Sequence, residues 1–237
     1  TQRSFLPALE VAVAQGFEEI VIFTNGVMFP HPGFIERVAA LHGREEALAR
    51  LDAFTPHLLL VDYRLPQART GIDALVHAIE AFVSTGSGPL TDTHALEAMR
   101  LINGNLVQMI ANPQDIALRE KIMLGSMQAG LAFSNAILGA VHAMSHSLGG
   151  FLDLPHGLCN AVLVEHVVAF NYSAAPERFK VIAETLGIDC RGLNHNQIRQ
   201  RLVEHLIALK HAVGFRETLG LHGVGLSDIP FLSHHAM

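Results

Sequence analysis

A nearly unbroken series of helical patterns fills the second part of this chain and constrains its fold more than any other feature. From Thr70 onward, apolar residues recur at helical spacing with few β-branched runs. The spacing predicts seven helices, over residues 72–84, 91–111, 113–130, 132–148, 158–170, 176–186 and 196–213. Since 50% of the residues are hydrophobic and only 16% are charged, much of the chain must be buried. We therefore expect residues 70–237 to form an all-helical bundle.

The preceding residues show a different pattern, in which strand and helix signals alternate. Residues 19–24 and 57–63 are predicted to be buried strands, and helical patterns cover residues 7–14 and 45–54. Apolar strands separated by helices favour a parallel α/β layer. A proline and several polar residues at 64–70 predict a boundary between the two parts. The expected organisation is therefore a short α/β region, residues 1–69, followed by a helical domain, residues 70–237.

Composition and charge exclude several functional classes. The formal net charge is −6 and no basic run with interleaved aromatic residues is found, which argues against a nucleic-acid partner. The most apolar stretch, residues 129–141, contains Ser134 and Asn135 and is too short to span a bilayer, so we expect a buried core helix and no membrane partner. No export signal is recognised, and the predicted location is the cytoplasm.

Asp73 and His77 lie four residues apart in the first predicted helix. Residues at this spacing share one helix face, so both side chains can point into a single site. Their neighbours are apolar, and a buried charge needs a partner, which could be a metal ion or the other member of the pair. Taken alone, the pair is equally compatible with an aspartate that orients a core histidine.

Three further histidines shift this balance towards a metal site. His142 and His146 repeat the four-residue spacing in an apolar helical pattern, and His156 follows after a turn. Packing alone explains such a group poorly, whereas imidazoles and a carboxylate are common metal ligands. A ligand set without thiolate suits Fe²⁺ or Zn²⁺, and the sequence does not choose between these ions. A divalent ion with one carboxylate ligand would act as a Lewis acid on an alcohol or carbonyl oxygen.

Four segments that contain these residues resemble signature blocks of the iron-containing (group III) alcohol dehydrogenases, which share a dehydroquinate synthase-like architecture. The segments are residues 70–81, 129–136, 142–150 and 154–161, and the likeness extends over residues 70–237. The resemblance implies that the metal ligands are Asp73, His77, His142 and His156. It also places His146 near the substrate and the nicotinamide, where an imidazole could relay a proton. Phe133 lies in a block similar to part of the substrate pocket, with simple core packing as the alternative.

The activity implied by the resemblance is hydride transfer between a small alcohol, or the corresponding aldehyde, and NAD(P). The metal would bind and polarise the substrate oxygen, and the nicotinamide would carry the hydride. Two alternatives remain open: a glycerol-dehydrogenase-like polyol oxidoreductase, often with Zn²⁺, and a non-catalytic truncated homologue that only binds metal. A homodimer is implied by family likeness alone.

The cofactor half of the resemblance is incomplete. The glycine-rich turn that binds the dinucleotide in this family is not found, and the glycine pairs 86/88 and 223/225 follow no strand, so we expect ordinary turns there. No residue is therefore assigned to cofactor binding. Residues 1–69 are also shorter than the first domain of the family. A natural truncated homologue, an incomplete gene model and a chain with missing stretches are all compatible with this difference.

Overall fold

The structure, a computed structural model, describes residues 67–236. The strands expected at 19–24 and 57–63 lie outside the described residues, so the α/β region and the division at residue 69 stay predictions. Within the described part the chain is helical throughout, which confirms the expected bundle. Its α-helices are α1 (Gln67–Val83), α2 (Pro89–Ala111), α3 (Ile116–Ala136), α4 (Ala140–Leu152), α5 (His156–Asn171), α6 (Pro176–Thr185), α7 (His195–Ala212) and α8 (Ile229–His235), and short 3₁₀ turns follow α5 and α7.

The core is formed by α1 packing against α2, α3 and α5, with α6 and α7 completing it from the side of α2 and α5. Helix α4 packs on α5, and α8 covers α4. The largest side chains of this core are fully buried: Leu75, Ile79, Met99, Ile102, Leu106, Leu158, Phe179, Ile182, Ile198, Leu202 and Leu206. Along α1, α2 and α7 these buried side chains recur every three or four residues. The apolar periodicity of the sequence therefore corresponds to the buried faces of the helices. Burial on both sides holds α1 at the centre of the bundle.

Helix α1 begins earlier than the sequence pattern predicts. It starts at Gln67, inside the 64–70 segment that we interpreted as a boundary, and not at Ile72. Pro66 stands just before the first residue of the helix. The first turn of a helix tolerates polar residues, so an apolar pattern that begins at Ile72 predicts the start of the helix too late.

The predicted break between the third and fourth helices, near residue 131, is wrong. Helix α3 continues through Gly130 to Ala136, and the chain turns by 101° before α4 begins at Ala140. At the turn Ile137 has a φ of 70°, a value that β-branched residues rarely adopt. The hydroxyl of Ser84, the residue directly after α1, donates to the carbonyl of Ala136 and fixes the end of α3 beside the end of α1. Tertiary contacts, and not the local sequence, therefore place the break.

Two smaller expectations concern turns and membranes. The glycine pair 86/88 lies between α1 and α2, and the pair 223/225 lies between two 3₁₀ turns, so both belong to ordinary turns as expected.

Among the described residues no single helix has the length and apolarity needed to cross a membrane. Only α3 and α4 taken together reach that length and composition, and they do so across their sharp bend.

Arg178 on α6 closes the C-terminal end of α1, and we expect the Arg178→Met variant to lose about 2 kcal/mol of unfolding free energy. The guanidinium donates to the carbonyl of Phe82 and, at 2.5 Å, to Asp92, and it lies 3.9 Å from the centroid of the Phe82 ring. Charge-assisted hydrogen bonds of this kind contribute roughly 1.5–3 kcal/mol. Urea unfolding measures the loss.

The Arg100→Met variant is the matched control for this prediction. Arg100 makes an ion pair with Glu97 on the surface of α2, where both side chains are about half exposed. We expect its loss to change stability by roughly 0.5 kcal/mol or less. Equal urea midpoints for the two variants would contradict the capping role of Arg178.

Candidate metal centre

Three helices bring the four predicted ligands together. Asp73 and His77 lie one turn apart on α1, His142 lies in the first turn of α4, and His156 is the first residue of α5. One potential ligand atom from each of the four side chains lies within 4.8 Å of the other three. Residues separated by up to 83 positions in the sequence therefore converge on one point, as a metal site requires.

The close approach of α5 to α1 depends on a small residue. A Cβ atom at Gly157 would lie 2.9 Å from the carbonyl oxygen of Arg69, so a larger residue could not occupy this position without a shift of the backbone. The glycine follows directly after His156. It thus allows the start of α5 to rest on the first turns of α1, which brings the His156 ring towards Asp73.

The cluster is buried on one side and open on the other. His142 is almost fully buried, with 2% of its side chain exposed, whereas 17% of His77, 20% of Asp73 and 40% of His156 are accessible. The accessible side is formed by the ring of His156 at the start of α5. A small molecule could therefore approach an ion held by these four residues from this side.

The distances within the cluster argue against a simple aspartate–histidine hydrogen bond. The Asp73 carboxylate lies 3.9 Å from His77 Nδ1 and 3.8 Å from His156 Nε2, and both separations exceed hydrogen-bond length. An aspartate that only orients a core histidine would lie nearer to the ring nitrogen. The spacing instead leaves room for an ion between the ligand atoms.

The side-chain amide of Asn160 marks the point where the ligand atoms converge. Its nitrogen lies 2.5 Å from Asp73 Oδ1, 3.0 Å from His142 Nε2 and 3.1 Å from His156 Nε2. An amide nitrogen carries two N–H groups, so it cannot satisfy three acceptors at once. Acceptor atoms that converge in excess of the available donors are what a cation needs, and the residues present therefore fit a divalent ion.

Burial favours the neutral form of two of the clustered imidazoles, those of His77 and His156. Burial lowers the pKa of His77 to about 4; the Asp73 carboxylate opposes this shift only in part, and the imidazoles of His142 and His156 add to it. Burial likewise lowers the pKa of His156, again against the opposing effect of Asp73. Neutral imidazole nitrogen is the form that binds metal. Both rings therefore present a lone pair at neutral pH without competition from protons.

Glu80, a residue that the sequence interpretation missed, contacts His142, the most buried of the four clustered side chains, on the side away from the cluster. Its carboxylate is 4% exposed and lies 2.6 Å from His142 Nδ1. It also accepts the backbone N–H groups of Gly139, Val141 and His142, at 3.0, 2.6 and 3.4 Å. Burial alone would raise the pKa of Glu80, but these hydrogen bonds outweigh it, so the pKa lies below its ordinary value. The sequence offered one signal for Glu80, which is its position between apolar residues on both sides. The structure shows that these neighbours are buried: Ala78, Ile79, Ala81 and Phe82.

The structure places the two remaining candidate residues beside the cluster. His146 lies one turn after His142 on the exposed side of α4, and its ring centroid is 5.1 Å from that of His156. The ring of Phe133, at the end of α3, stacks on His77 with 4.4 Å between centroids. Phe133 is partly buried and contacts the core, so its position is compatible with packing as well as with a substrate pocket. The roles of both residues stay predictions.

Comparison with known proteins agrees with this architecture. The family model described as Fe-containing alcohol dehydrogenase family, C-terminal, matches residues 67–237. The chain is 42% identical over 170 residues to the 1,3-propanediol dehydrogenase of Klebsiella pneumoniae, which covers 72% of this chain and 44% of the relative. It is 40% identical over 192 residues to the NAD-dependent methanol dehydrogenase of Bacillus methanolicus, covering 78% of this chain and 50% of the relative.

A solved structure gives the same result. The alcohol dehydrogenase from Oenococcus oeni superimposes with a TM-score of 0.70 at 36% identity, over 72% of this chain and 44% of that chain. The chain thus spans about half the length of the relatives that it matches. The family match includes all four clustered residues on α1, α4 and α5. This chain belongs to the iron-containing alcohol dehydrogenase family, and residues 67–237 correspond to its C-terminal domain.

Proposed function

We propose that residues 67–237 form the metal-binding half of an NAD(P)-dependent alcohol dehydrogenase. The observation that carries this proposal is the convergence of Asp73, His77, His142 and His156 on one point of the bundle. The relatives whose names include propanediol and methanol dehydrogenase support small alcohols, or the corresponding aldehydes, as the substrate class. The family description favours Fe²⁺, and Zn²⁺ suits the same oxygen and nitrogen ligands.

The ligand residues would hold a divalent ion that stabilises negative charge on the substrate oxygen, while NAD(P) carries the hydride. Asp73 contributes the single negative charge, so a site with a divalent ion keeps a net positive charge. His77 and His142 hold the buried side of the site, and stacking between their rings, with centroids 4.4 Å apart, restricts the motion of both. The site is thus fixed before a substrate enters.

His146 and Phe133 would act around the substrate. The exposed imidazole of His146 lies beside the cluster, with its ring centroid 5.1 Å from that of His156, and would carry the alcohol proton towards water, because an imidazole has one nitrogen that donates and one that accepts a hydrogen bond. The ring of Phe133 covers one face of His77 and would exclude water from that side of the pocket. The cofactor contacts are not assigned to any described residue. A homodimer remains a prediction from family likeness, and a cytoplasmic location remains a prediction from the sequence.

A second candidate function is a metal-binding module without catalysis. The observation that favours it is that the glycine-rich turn expected for dinucleotide binding is not recognised in this sequence. Under this hypothesis the metal binds as proposed, but NAD(P)H does not bind. The two functions share the metal centre and differ only in the cofactor.

Metal analysis followed by a nicotinamide titration tests both functions. We expect the purified protein to contain close to one divalent ion per chain, and the metal-loaded protein to quench NAD(P)H fluorescence and to reduce NAD(P)⁺ with ethanol or 1,3-propanediol. Turnover of glycerol in preference to these alcohols would favour the polyol oxidoreductase. Metal without cofactor binding would favour the non-catalytic module, and a protein that binds no divalent ion would contradict both.

A further inference from the structure

The carboxylate of Glu80 makes more contacts than helix capping requires. Two or three backbone N–H groups at the start of α4 would satisfy a capping carboxylate, and Glu80 accepts these from Gly139, Val141 and His142. It also contacts a fourth group, the imidazole Nδ1 of His142, at 2.6 Å. The arrangement is tight, since a Cβ atom at Gly139 would lie 2.9 Å from Glu80 Oε1.

The contact with the ring selects one tautomer of His142. A carboxylate only accepts hydrogen bonds, so Nδ1 must carry the proton, and Nε2 then has a free lone pair. Nε2 points away from Glu80 towards the cluster, 3.0 Å from the Asn160 amide nitrogen. Hydrogen bonds of this kind to the second nitrogen are known to orient histidine ligands and to raise their basicity.

The same carboxylate connects two helices that supply different ligands. Glu80 lies three residues after His77 on α1, whereas its four contacts lie at the start of α4. The chain reaches α4 through a sharp turn at Ile137, whose φ of 70° is unfavourable for this residue. The four contacts of Glu80 hold the first turn of α4 against α1. Glu80 therefore contributes, together with the stacking of the two rings, to the separation between the side chains of His77 and His142.

We propose that Glu80 is the positioning residue of the metal centre, which fixes both the tautomer of His142 and the distance between the ligands on α1 and α4. This inference rests on the proposed function, because it requires that an ion bind at the cluster. It assigns to Glu80 no contact with the substrate or the cofactor. Its effect is on the affinity and geometry of the metal site.

The Glu80→Gln variant tests the proposal through metal binding and not through turnover. Glutamine keeps the size of the side chain but places an N–H donor opposite groups that also donate. We expect Zn²⁺ affinity, measured by competition with a chromophoric chelator, to fall about 10- to 100-fold. We expect the visible absorption spectrum of the Co²⁺-loaded protein to change as well, because His142 is no longer held in place. Glu97→Gln, an exposed glutamate on α2, is the matched control and should change neither.

A tautomer measurement keeps the test decisive if the variant does not fold. In the unaltered metal-free protein, ¹⁵N NMR of the His142 ring should show the proton on Nδ1, and a proton on Nε2 would overturn the proposal. Equal Zn²⁺ affinity and equal Co²⁺ spectra for a folded Glu80→Gln variant and the unaltered protein would also overturn it, and would leave Glu80 as a helix cap. Failure of the unaltered protein to bind Zn²⁺ or Co²⁺ is a different result, which contradicts the proposed function itself.

Discussion

The His142→Ala variant is expected to lose tight binding of a divalent ion and, with it, at least about a thousandfold of any alcohol-dependent reduction of NAD(P)⁺. His142 is the most buried of the four clustered residues, so water cannot easily take its place. Lewis-acid stabilisation of a developing negative charge supplies several kcal/mol, and each 1.4 kcal/mol corresponds to a factor of ten in rate. Metal content after dialysis and the rate of NAD(P)H formation measure the two losses.

Two further variants separate the loss of a ligand from the loss of the fold. Asp73→Ala removes the only carboxylate of the cluster and should have an effect of similar size. His166→Ala removes a largely exposed histidine on α5 and should have none. In the His142→Ala variant, Glu80 still accepts the backbone N–H groups of Gly139 and Val141. We therefore expect the circular dichroism spectrum of this variant to show a folded protein. A variant that retains stoichiometric metal after dialysis would show that His142 is not a ligand.

Acid is expected to destabilise the metal-free protein by about 3 kcal/mol between pH 6.5 and pH 4. The pKa of His77 is about 4 in the folded protein, against 6.5 in the unfolded chain. Within this interval the unfolded chain binds a proton that the folded protein does not, so the unfolding free energy falls as the pH falls. Each unit of pKa difference corresponds to about 1.4 kcal/mol. The lowered pKa values of His156 and His205, both due first to burial, act in the same direction.

Urea unfolding at several pH values in the presence of a chelator measures this slope. The pKa of Glu80 lies below 4.5, and its protonation adds to the loss only at the acidic end of the interval. The range between pH 6.5 and 4.5 therefore reports mainly on histidines. The His77→Gln variant cannot titrate at this position and should show a flatter pH dependence. Parallel slopes for the variant and the unaltered protein would mean that His77 is not a buried neutral imidazole.

Local spacing in the sequence identified the candidate residues of the cluster, and the family resemblance selected the four predicted ligands among them. Asp73 and His77 share a helix face at a spacing of four residues, and His142 and His146 repeat the spacing, so their chemistry could be recognised without knowledge of the packing. The helical character of residues 67–236 was predictable for the same reason, since apolar periodicity is a property of each segment. Local patterns therefore identified the candidate residues and most of the helices.

The sequence did not predict features that depend on distant contacts. Glu80 acts on residues 59 to 62 positions away, and nothing in its own helix identifies these partners. The break after Ala136 was misplaced because Gly130, an unfavourable residue in a helix, is tolerated inside α3. The true turn at Ile137 is held by a hydrogen bond from Ser84, directly after α1, which the local sequence does not reveal. Asn160 was missed for the same reason, since its amide becomes relevant only when α1, α4 and α5 meet.

The origin of the four ligands in three helices links the lifetime of the protein to metal supply. The unfolded chain cannot present these side chains together, so an ion that binds only the folded form protects it from unfolding. At a free ion concentration of one hundred times Kd, binding raises the unfolding free energy by about 2.7 kcal/mol, which lowers the unfolded fraction about a hundredfold. Proteases degrade mainly unfolded chains, and their access would rise when the ion is scarce. We therefore expect the abundance of the protein to follow metal availability without any change in its synthesis.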